Sequence, residues 1–316
     1  MGGAGYTGGE LLRILINHPF VQIEFVHSHS SAGKYIYQVH TDLIGETELK
    51  FSDHFHTDID ILFLCVGHGD AKKFFESNPS FLQKSDLIII DLSQDFRTET
   101  EGFVYGLPEL NREKIKKSKR IANPGCFATA IQLGLLPLAQ SQYLKAEIHV
   151  NATTGSTGAG QSLTETSHFS YRNNNLSVYK AFTHQHLKEI NQSLKQLQST
   201  FDHEIYFLPQ RGAFTRGILA TLYTKTQLTI EQARDLYQKY YHNHPFTHIS
   251  EVNIDLKQVV NTNKCILYLE KNGDNLLIIS IIDNLTKGAS GQAVQNMNLI
   301  LGIDEKTGLQ LKPIAF

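Results

Sequence analysis

The chain has 316 residues, 41% of them hydrophobic and 19% charged, with a formal net charge of -2 at pH 7. That composition is ordinary for a soluble globular protein with room for two cores, and its near-neutral balance excludes an electrostatic case for nucleic acid or a membrane surface. No apolar run approaches the roughly 18 residues of a membrane span, and the N-terminus lacks the basic segment and apolar stretch of a secretory signal. Three cysteines without a CxxC pair point to a reducing compartment, the cytoplasm, rather than to a disulfide framework.

The chain opens with Gly2-Gly3-Ala4-Gly5-Tyr6-Thr7-Gly8-Gly9, which fits GxxGxxG at Gly2, Gly5 and Gly8; Leu11, Leu12, Leu15 and Ile16 follow at helical spacing. Glycines let a backbone approach a pyrophosphate, whose charge the helix N-terminus then binds. A strand should precede such a loop; none does here, so the first strand of the sheet is expected to be missing. Residues 21–26 alternate and read as the next strand. The loop after it, His27 to Lys34, carries no acidic residue to hold a ribose 2′-OH, and its hydroxyls with Lys34 suit a 2′-phosphate better. NADP is thereby favoured over NAD; an ordinary polar loop is the other reading.

Residues 60–66 read as a buried strand, Asp70 as the cap of the helix after it, and Leu87 to Asp91 as a continuous apolar strand of the parallel kind. Strand and helix alternate through this half, which argues an α/β fold. Arg97 follows the strand end, where open sheets bind ligands, and is either an anion clamp or a surface cation.

Asn123-Pro124-Gly125-Cys126 is a turn leading into the apolar run Phe127 to Ile131. It sets Cys126 at a helix N-terminus, where an anion is favoured and a thiol should be a nucleophile at neutral pH. The alternative is a small buried hydrophobe. Cys65 and Cys265 lie in apolar strand-like runs. Residues 146–151 form a strand ahead of the hydroxyl- and glycine-rich loop 153–160, which is either a second phosphate-type cradle or a flexible loop. His184, His186 and Glu189 crowd the first turns of a helix whose apolar face holds Leu187, Ile190, Leu194 and Leu197. HxHxxE is a possible metal pattern, but no further ligand spacing supports it, so no metal is expected and an acid/base histidine fits better. Residues 209–217 read as a basic turn before a strand, Thr229 to Gln232 as a capping box, and Asn272-Gly273-Asp274 as a hairpin turn. Residues 283–291 lead into a last helix.

Taken together, GGAGYTGGELLR, DLSQDFR, YGLPELNR, NPGCFATA, HQHLKEI, FTRGILAT and DNLTKGASGQAVQNMN resemble the N-acetyl-gamma-glutamyl-phosphate reductases of arginine biosynthesis. These are relatives of the aspartate-semialdehyde and glyceraldehyde-phosphate dehydrogenases. The blocks span the chain. The resemblance implies a Rossmann-type NADP-binding domain over 1–126 and an α+β, antiparallel-sheet catalytic and oligomerisation domain over 127–287. A C-terminal helix, 288–316, would return to the first domain, in a homodimer or homotetramer. It implies an acyl phosphate as small-molecule substrate, Cys126 as the thiol and His184 as its acid/base partner, with Arg97, His186 and Glu189 at substrate positions. Gly2, Gly5, Tyr6, Thr7, Gly8, Ser28 and Ser31 would hold the cofactor, joined by Ser156, Gly158 and Asn284.

Besides the missing first strand, two further features depart from that family. His29 stands where many relatives carry Arg, and Gln210-Arg211-Gly212 replaces a histidine and an apolar run. If Arg211 faces the substrate's acyl group it would pair with an extra carboxylate, making an N-succinyl rather than an N-acetyl substrate; otherwise it is a surface or interface Arg. The rival readings are a sibling enzyme acting on aspartyl phosphate, a Cys–His hydrolase, which leaves the glycine loop unexplained, and a non-catalytic dinucleotide-binding protein.

Overall fold

The computed structural model describes residues 1–314. Its contacts divide the chain into two compact units, Met1–Pro124 with Ala289–Gln310, and Gly125–Gly288 with the tail from Leu311. The chain therefore passes from unit 1 to unit 2 one residue before Cys126.

Unit 1 contains α1 (Tyr6–Leu15), β1 (Val26–His27), β2 (Phe51–Ser52), β3 (Ile61–Leu64), α2 (Asp70–Ser77), α3 (Ser80–Gln83), β4 (Ile88–Asp91), β5 (Val104–Tyr105), α4 (Pro108–Lys116) and β6 (Arg120–Ala122). Four strands pair in parallel in the order β3-β4-β6-β5, and β1 pairs with β2 separately. β4 is buried along its length, as a strand covered on both faces must be. Met1 to Gly3 bridge the two sheets. The Met1 amine donates to Phe63 O at 2.9 Å and Met1 O accepts from Cys65 N at 2.9 Å, while Gly3 N donates to His27 O at 3.0 Å. Alongside that bridge runs a slot of about 580 Å³ between residues 20–26 and 58–63, floored by Leu11, Leu12 and Leu15. The strand expected over 21–26 is consequently reduced to Val26–His27, since residues facing the slot have no ladder partner to hold them extended.

A second difference concerns the start of α2. Asp70 does not cap it. Gly69 is the N-cap, at φ +86°, and its N–H and that of Lys72 donate to the Asp95 carboxylate at 2.7 and 3.2 Å. The cap thus comes from the loop after β4.

Unit 2 contains α5 (Cys126–Gln140), β7 (Ile148–Thr154), α6 (Phe169–Arg172), β8 (Ser177–Val178), α7 (His186–Leu197), β9 (Ile205–Arg211), β10 (Ile218–Lys225), α8 (Ile230–Tyr241), β11 (Thr247–Ser250), β12 (Cys265–Asn272) and β13 (Asn275–Ile282). Its sheet runs β11-β12-β13-β10-β7-β9-β8. The expected antiparallel pairing holds from β12 through β7 and for β8 with β9, but β7–β9 and β11–β12 are parallel; the β7–β9 connection carries helix α7, as a parallel crossover requires. The basic turn expected at 209–217 begins later: Pro209, Gln210 and Arg211 are strand residues paired with Ala152, Thr153 and Thr154. The capping box at Thr229 and the hairpin around Gly273 form as the sequence indicates.

α5 is the centre of unit 2. Every residue from Phe127 to Ala139 is buried, as expected of a helix apolar on all sides. A Cβ at Gly134 would sit 3.3 Å from Leu222 Cδ1 and 3.4 Å from Ile278 Cγ2, so this glycine lets the helix lie close on β10 and β13. On another side the Tyr237 and Tyr241 hydroxyls donate to the Gly134 and Leu133 carbonyls, each at 2.5 Å. The last helix, α9 (Gly291–Leu301), belongs to unit 1. It is shorter than the 288–316 expected, ending at Gly302 with φ +69°, and the final two residues of that span lie outside the described residues.

Candidate active site

The glycine loop in unit 1 is built for close approach. Gly2 has φ +75° and a Cβ there would lie 2.4 Å from Cys65 O; a Cβ on Gly8 would lie 2.7 Å from Gly2 O. Gly5 is the N-cap of α1, with no side-chain cap and no acidic residue in the first turn. The first amides of α1, at Tyr6 and Thr7, thus open an N-terminus that favours an anion. Ser290 Oγ donates to Thr7 O at 2.8 Å, tying the start of α9 to the loop. Beyond β1, Ser28 and Ser31 are buried, and the rings of His27 and His29 meet edge to face at 4.5 Å.

Arg97 is 7% exposed in unit 1. Its Nε donates to Asn123 O at 2.9 Å and its Nη2 to Leu92 O at 3.1 Å. The guanidinium thereby holds the backbone three residues before Cys126, a role the sequence reading did not foresee.

In unit 2, Cys126 is the first residue of α5 and is half-buried. The Gly125 N–H ahead of it donates to Glu189 Oε2 at 3.0 Å. His186 Nε2 lies 3.9 Å from Glu189 Oε1, and both side chains are buried. Glu189 and His186, expected at substrate positions, are therefore joined to the turn that presents the thiol. His184 packs against Phe127, Phe207 and Tyr179 with ring centroids 5.6, 5.4 and 5.8 Å away. Its Nδ1 accepts the His186 N–H at 3.2 Å, which leaves the proton of the neutral ring on Nε2. Burial, with the nearby Lys180 ammonium, pushes its pKa down to about 4.

Tyr179 was given no role by the sequence. It sits between His184 and the Arg211 guanidinium, which lies 4.9 Å over its ring. Burial and the neighbouring Cys126 push its pKa up to about 12, against the pull of Arg211, so it is a neutral phenol. Gly288 was also missed: a Cβ there would lie 2.7 Å from Cys126 Cβ. The turn carrying Gly288 is fixed through Asp283, whose carboxylate takes a two-pronged pair from Arg216 at 3.0 Å on each oxygen and accepts the Leu285 and Thr286 amides. The signal for it lay in two separate blocks, TRG and DNLTKG, which the fold brings together.

The loop after β7 starts at Gly155, since Thr153 and Thr154 are strand residues. Ser156 and Gly158 lie in its single turn of 3-10 helix, Ser156–Ala159. Asn284 Nδ2 donates to Thr157 Oγ1 at 3.0 Å, and its Oδ1 accepts Gly217 N at 2.7 Å. Its amide thus braces this loop. Among the described residues no group of three or more His, Cys, Asp or Glu is arranged to hold a metal ion.

A unit of parallel strands entered through a tight glycine loop, followed along the chain by a mixed-sheet unit with Cys126 at a helix start, defines a dehydrogenase of the semialdehyde type. The family model described as semialdehyde dehydrogenase, NAD binding domain, matches residues 1–118, and that described as semialdehyde dehydrogenase, dimerisation domain, matches residues 126–284. Relatives named N-acetyl-gamma-glutamyl-phosphate reductase include one from Azobacteroides pseudotrichonymphae genomovar. CFP2, 61% identical over 100% of this chain and 98% of its own. Another, from Bacteroides thetaiotaomicron, is 59% identical with the same coverage. The solved structure of aspartate semialdehyde dehydrogenase II from Vibrio cholerae, complexed with ASA, shares the fold at TM-score 0.75 and 16% identity, over 95% of this chain and 96% of that one. The Candida albicans aspartate semialdehyde dehydrogenase with NADP does so at TM-score 0.70 and 13% identity, over 96% and 97%. The chain belongs to the N-acetyl-gamma-glutamyl-phosphate reductase family of the semialdehyde dehydrogenases.

Proposed function

We propose that the chain reduces N-acetyl-glutamyl 5-phosphate to N-acetyl-glutamate 5-semialdehyde with release of phosphate, through a thioester on Cys126, in arginine biosynthesis. The observation that carries the reading is the position of Cys126 at the start of α5, behind a Gly125 amide held by Glu189. The bound nicotinamide nucleotide supplies the hydride.

The Cys126 thiolate attacks the acyl carbonyl, and the phosphate leaves with its bonding electrons. The reduced thioester carbon carries an oxyanion, which must be held until it collapses to the aldehyde and expels the thiolate. A neutral His184 with its proton on Nε2 is a hydrogen-bond donor suited to that oxyanion. The Nδ1 contact to the His186 amide supports this tautomer, and the Glu189–His186 pair acts through the turn. Arg97 holds the Asn123 side of the same turn.

The tight glycine turn and the uncapped α1 fit a dinucleotide pyrophosphate at Gly2, Gly5, Tyr6, Thr7 and Gly8. NADP is preferred over NAD: Ser28, Ser31 and Lys34, with no carboxylate in 27–34, support a 2′-phosphate. The half-open face of the unit 2 sheet supports homo-oligomerisation, with Tyr206 and Tyr223 40% and 45% exposed on either side of His149. Thiolate chemistry suits a reducing compartment such as the cytoplasm; no helix among the described residues is long and apolar enough to cross a membrane.

The test is phosphate-dependent reduction of NADP by N-acetyl-glutamate semialdehyde, the reverse reaction. Turnover that disappears in Cys126→Ser is the expected result. Turnover retained in that variant, or none from the folded wild-type chain, overturns the reading.

A further inference from the structure

We propose that Arg211 reads a carboxylate of the substrate, in an anion pocket it forms with Thr154; the proposal rests on the acyl-phosphate reductase reading above. β9 alternates, so Phe207 and Arg211 share the face on which Phe207 lies 5.3 Å from Phe127 and 5.4 Å from His184, ring to ring. Arg211 is thus a residue of the thiol cluster, one strand turn further out. Its guanidinium lies 4.9 Å over the Tyr179 ring, a cation–π stack that orients its planar fork.

Two polar atoms on register-paired residues are left over. Arg211 Nε and Thr154 Oγ1 are both buried without a hydrogen-bond partner, and Thr154 is 1% exposed. Gly158 lies over that hydroxyl, since a Cβ there would be 3.2 Å from Thr154 Oγ1. Arg211 has no carboxylate partner among the described residues. The neighbouring Arg172 guanidinium adds to its field. Arg172 Nη1 donates to Arg211 O at 2.6 Å, and Lys180 is close enough to His184 to depress its pKa. A guanidinium beside another cation, with a buried, unmet donor, is costly unless an anion completes it.

The anion's place in the substrate follows from the stacking order. Tyr179 touches both His184 and the Arg211 guanidinium, at 5.8 and 4.9 Å. A leaving phosphate on the reacting carbon belongs at the His184 end. Arg211 meets that cluster through Tyr179, which suits a carboxylate of an acylated glutamate away from the reacting carbon. That carboxylate is either the α-carboxylate or one borne by the N-acyl group.

The experiment measures how ligands protect Cys126 of the full chain from iodoacetamide, in wild type, Arg211→Met and Arg211→Lys. The probes are N-acetyl-glutamate, N-succinyl-glutamate, 4-acetamidobutyrate (which lacks the α-carboxylate) and inorganic phosphate. Unliganded alkylation rate and melting temperature report that the cluster is intact. Arg211→Met is expected to weaken protection by a carboxylate-bearing probe about 10- to 100-fold, the span of one charge-assisted hydrogen-bond pair, with partial rescue in Arg211→Lys. A loss for N-acetyl-glutamate but not 4-acetamidobutyrate assigns the α-carboxylate; a loss confined to N-succinyl-glutamate assigns the acyl carboxylate. Unchanged protection by every probe, or a loss confined to phosphate, overturns the proposal. Wild-type turnover of N-acetyl- and N-succinyl-glutamate semialdehydes, read alongside, separates failure of the enzyme reading from failure of the Arg211 assignment.

Discussion

Glu189 reaches across from the first turn of α7 and accepts the backbone N–H of Gly125 at 3.0 Å. A buried carboxylate therefore fixes the residue before the thiol. Glu189→Ala leaves that amide unmet in the interior and is expected to cost about 1–3 kcal/mol of stability, with Cys126 alkylating more slowly. Glu189→Gln keeps an accepting oxygen and is expected to recover most of both. Denaturant unfolding and iodoacetamide kinetics on the two variants check this; identical behaviour would show that the contact does not position the turn.

His184 gives a pH signature. In Cys126→Ser, where no thiolate competes, its ring is expected to titrate near 4, as burial and Lys180 dictate. A midpoint near 6.5 in a histidine NMR titration would remove the basis for a neutral donor.

The same burial makes folding sensitive to acid. His18, His27, His184 and His248 all have pKa values below 6.5, chiefly from burial. Below pH 6.5 the unfolded chain binds protons that the folded chain refuses. Stability is therefore full above 6.5 and falls as pH drops from there toward 4. Asp91 opposes this: burial pushes it up to about 6 against the Ser93 bonds and Arg97, so the fold takes up a proton first as pH falls below 6. Unfolding at pH 7 and pH 5 is expected to show a smaller stability loss in His184→Gln than in wild type.

Gly288 has no room for a methyl group, whose carbon would lie 2.7 Å from Cys126 Cβ and 3.1 Å from its Cα. Because α5 cannot retreat, Gly288→Ala is expected to displace the thiol and lower kcat by about 10²-fold, the cost of misplacing a reacting group by roughly 1 Å. Circular dichroism should show the helices retained.

The slot beside Met1 makes a separate prediction for unit 1. Adding about five alternating apolar residues ahead of Met1 would extend a ladder already begun at Phe63 and Cys65, within the spacing of adjacent strands. The melting temperature is expected to rise. An unchanged value would mean that the slot does not accept a strand.

The parts of the chain that sequence makes legible are those whose chemistry is local. Cys126 follows Pro124 and Gly125, and the turn type and helix start are written within a few residues. The glycine loop and the Thr229 capping box are of the same kind. Illegible were the features completed from a distance. Residues 21–25 alternate as a strand should, yet lack a neighbour. Asp70 is a good cap by composition, but Asp95 arrives from the loop after β4 and takes the position. Tyr179 and Arg211 meet because β8 pairs with β9, a pairing that leaves no trace in either segment alone. Arg97, a plausible anion ligand from its position after a strand, also donates to the Asn123 and Leu92 carbonyls, contacts made across the loop that its own segment does not announce.

The helix that begins with Cys126 is gripped along its length, by β10 and β13 below Gly134 and by the two tyrosine hydroxyls on Leu133 and Gly134. Its amide protons should be among the last in unit 2 to exchange with solvent, needing global rather than local opening. Under the proposed thioester mechanism, an acyl group on Cys126 would sit on a fixed post, not a swinging arm. Substrates of different size would then be accommodated by other segments of unit 2 rather than by movement of α5.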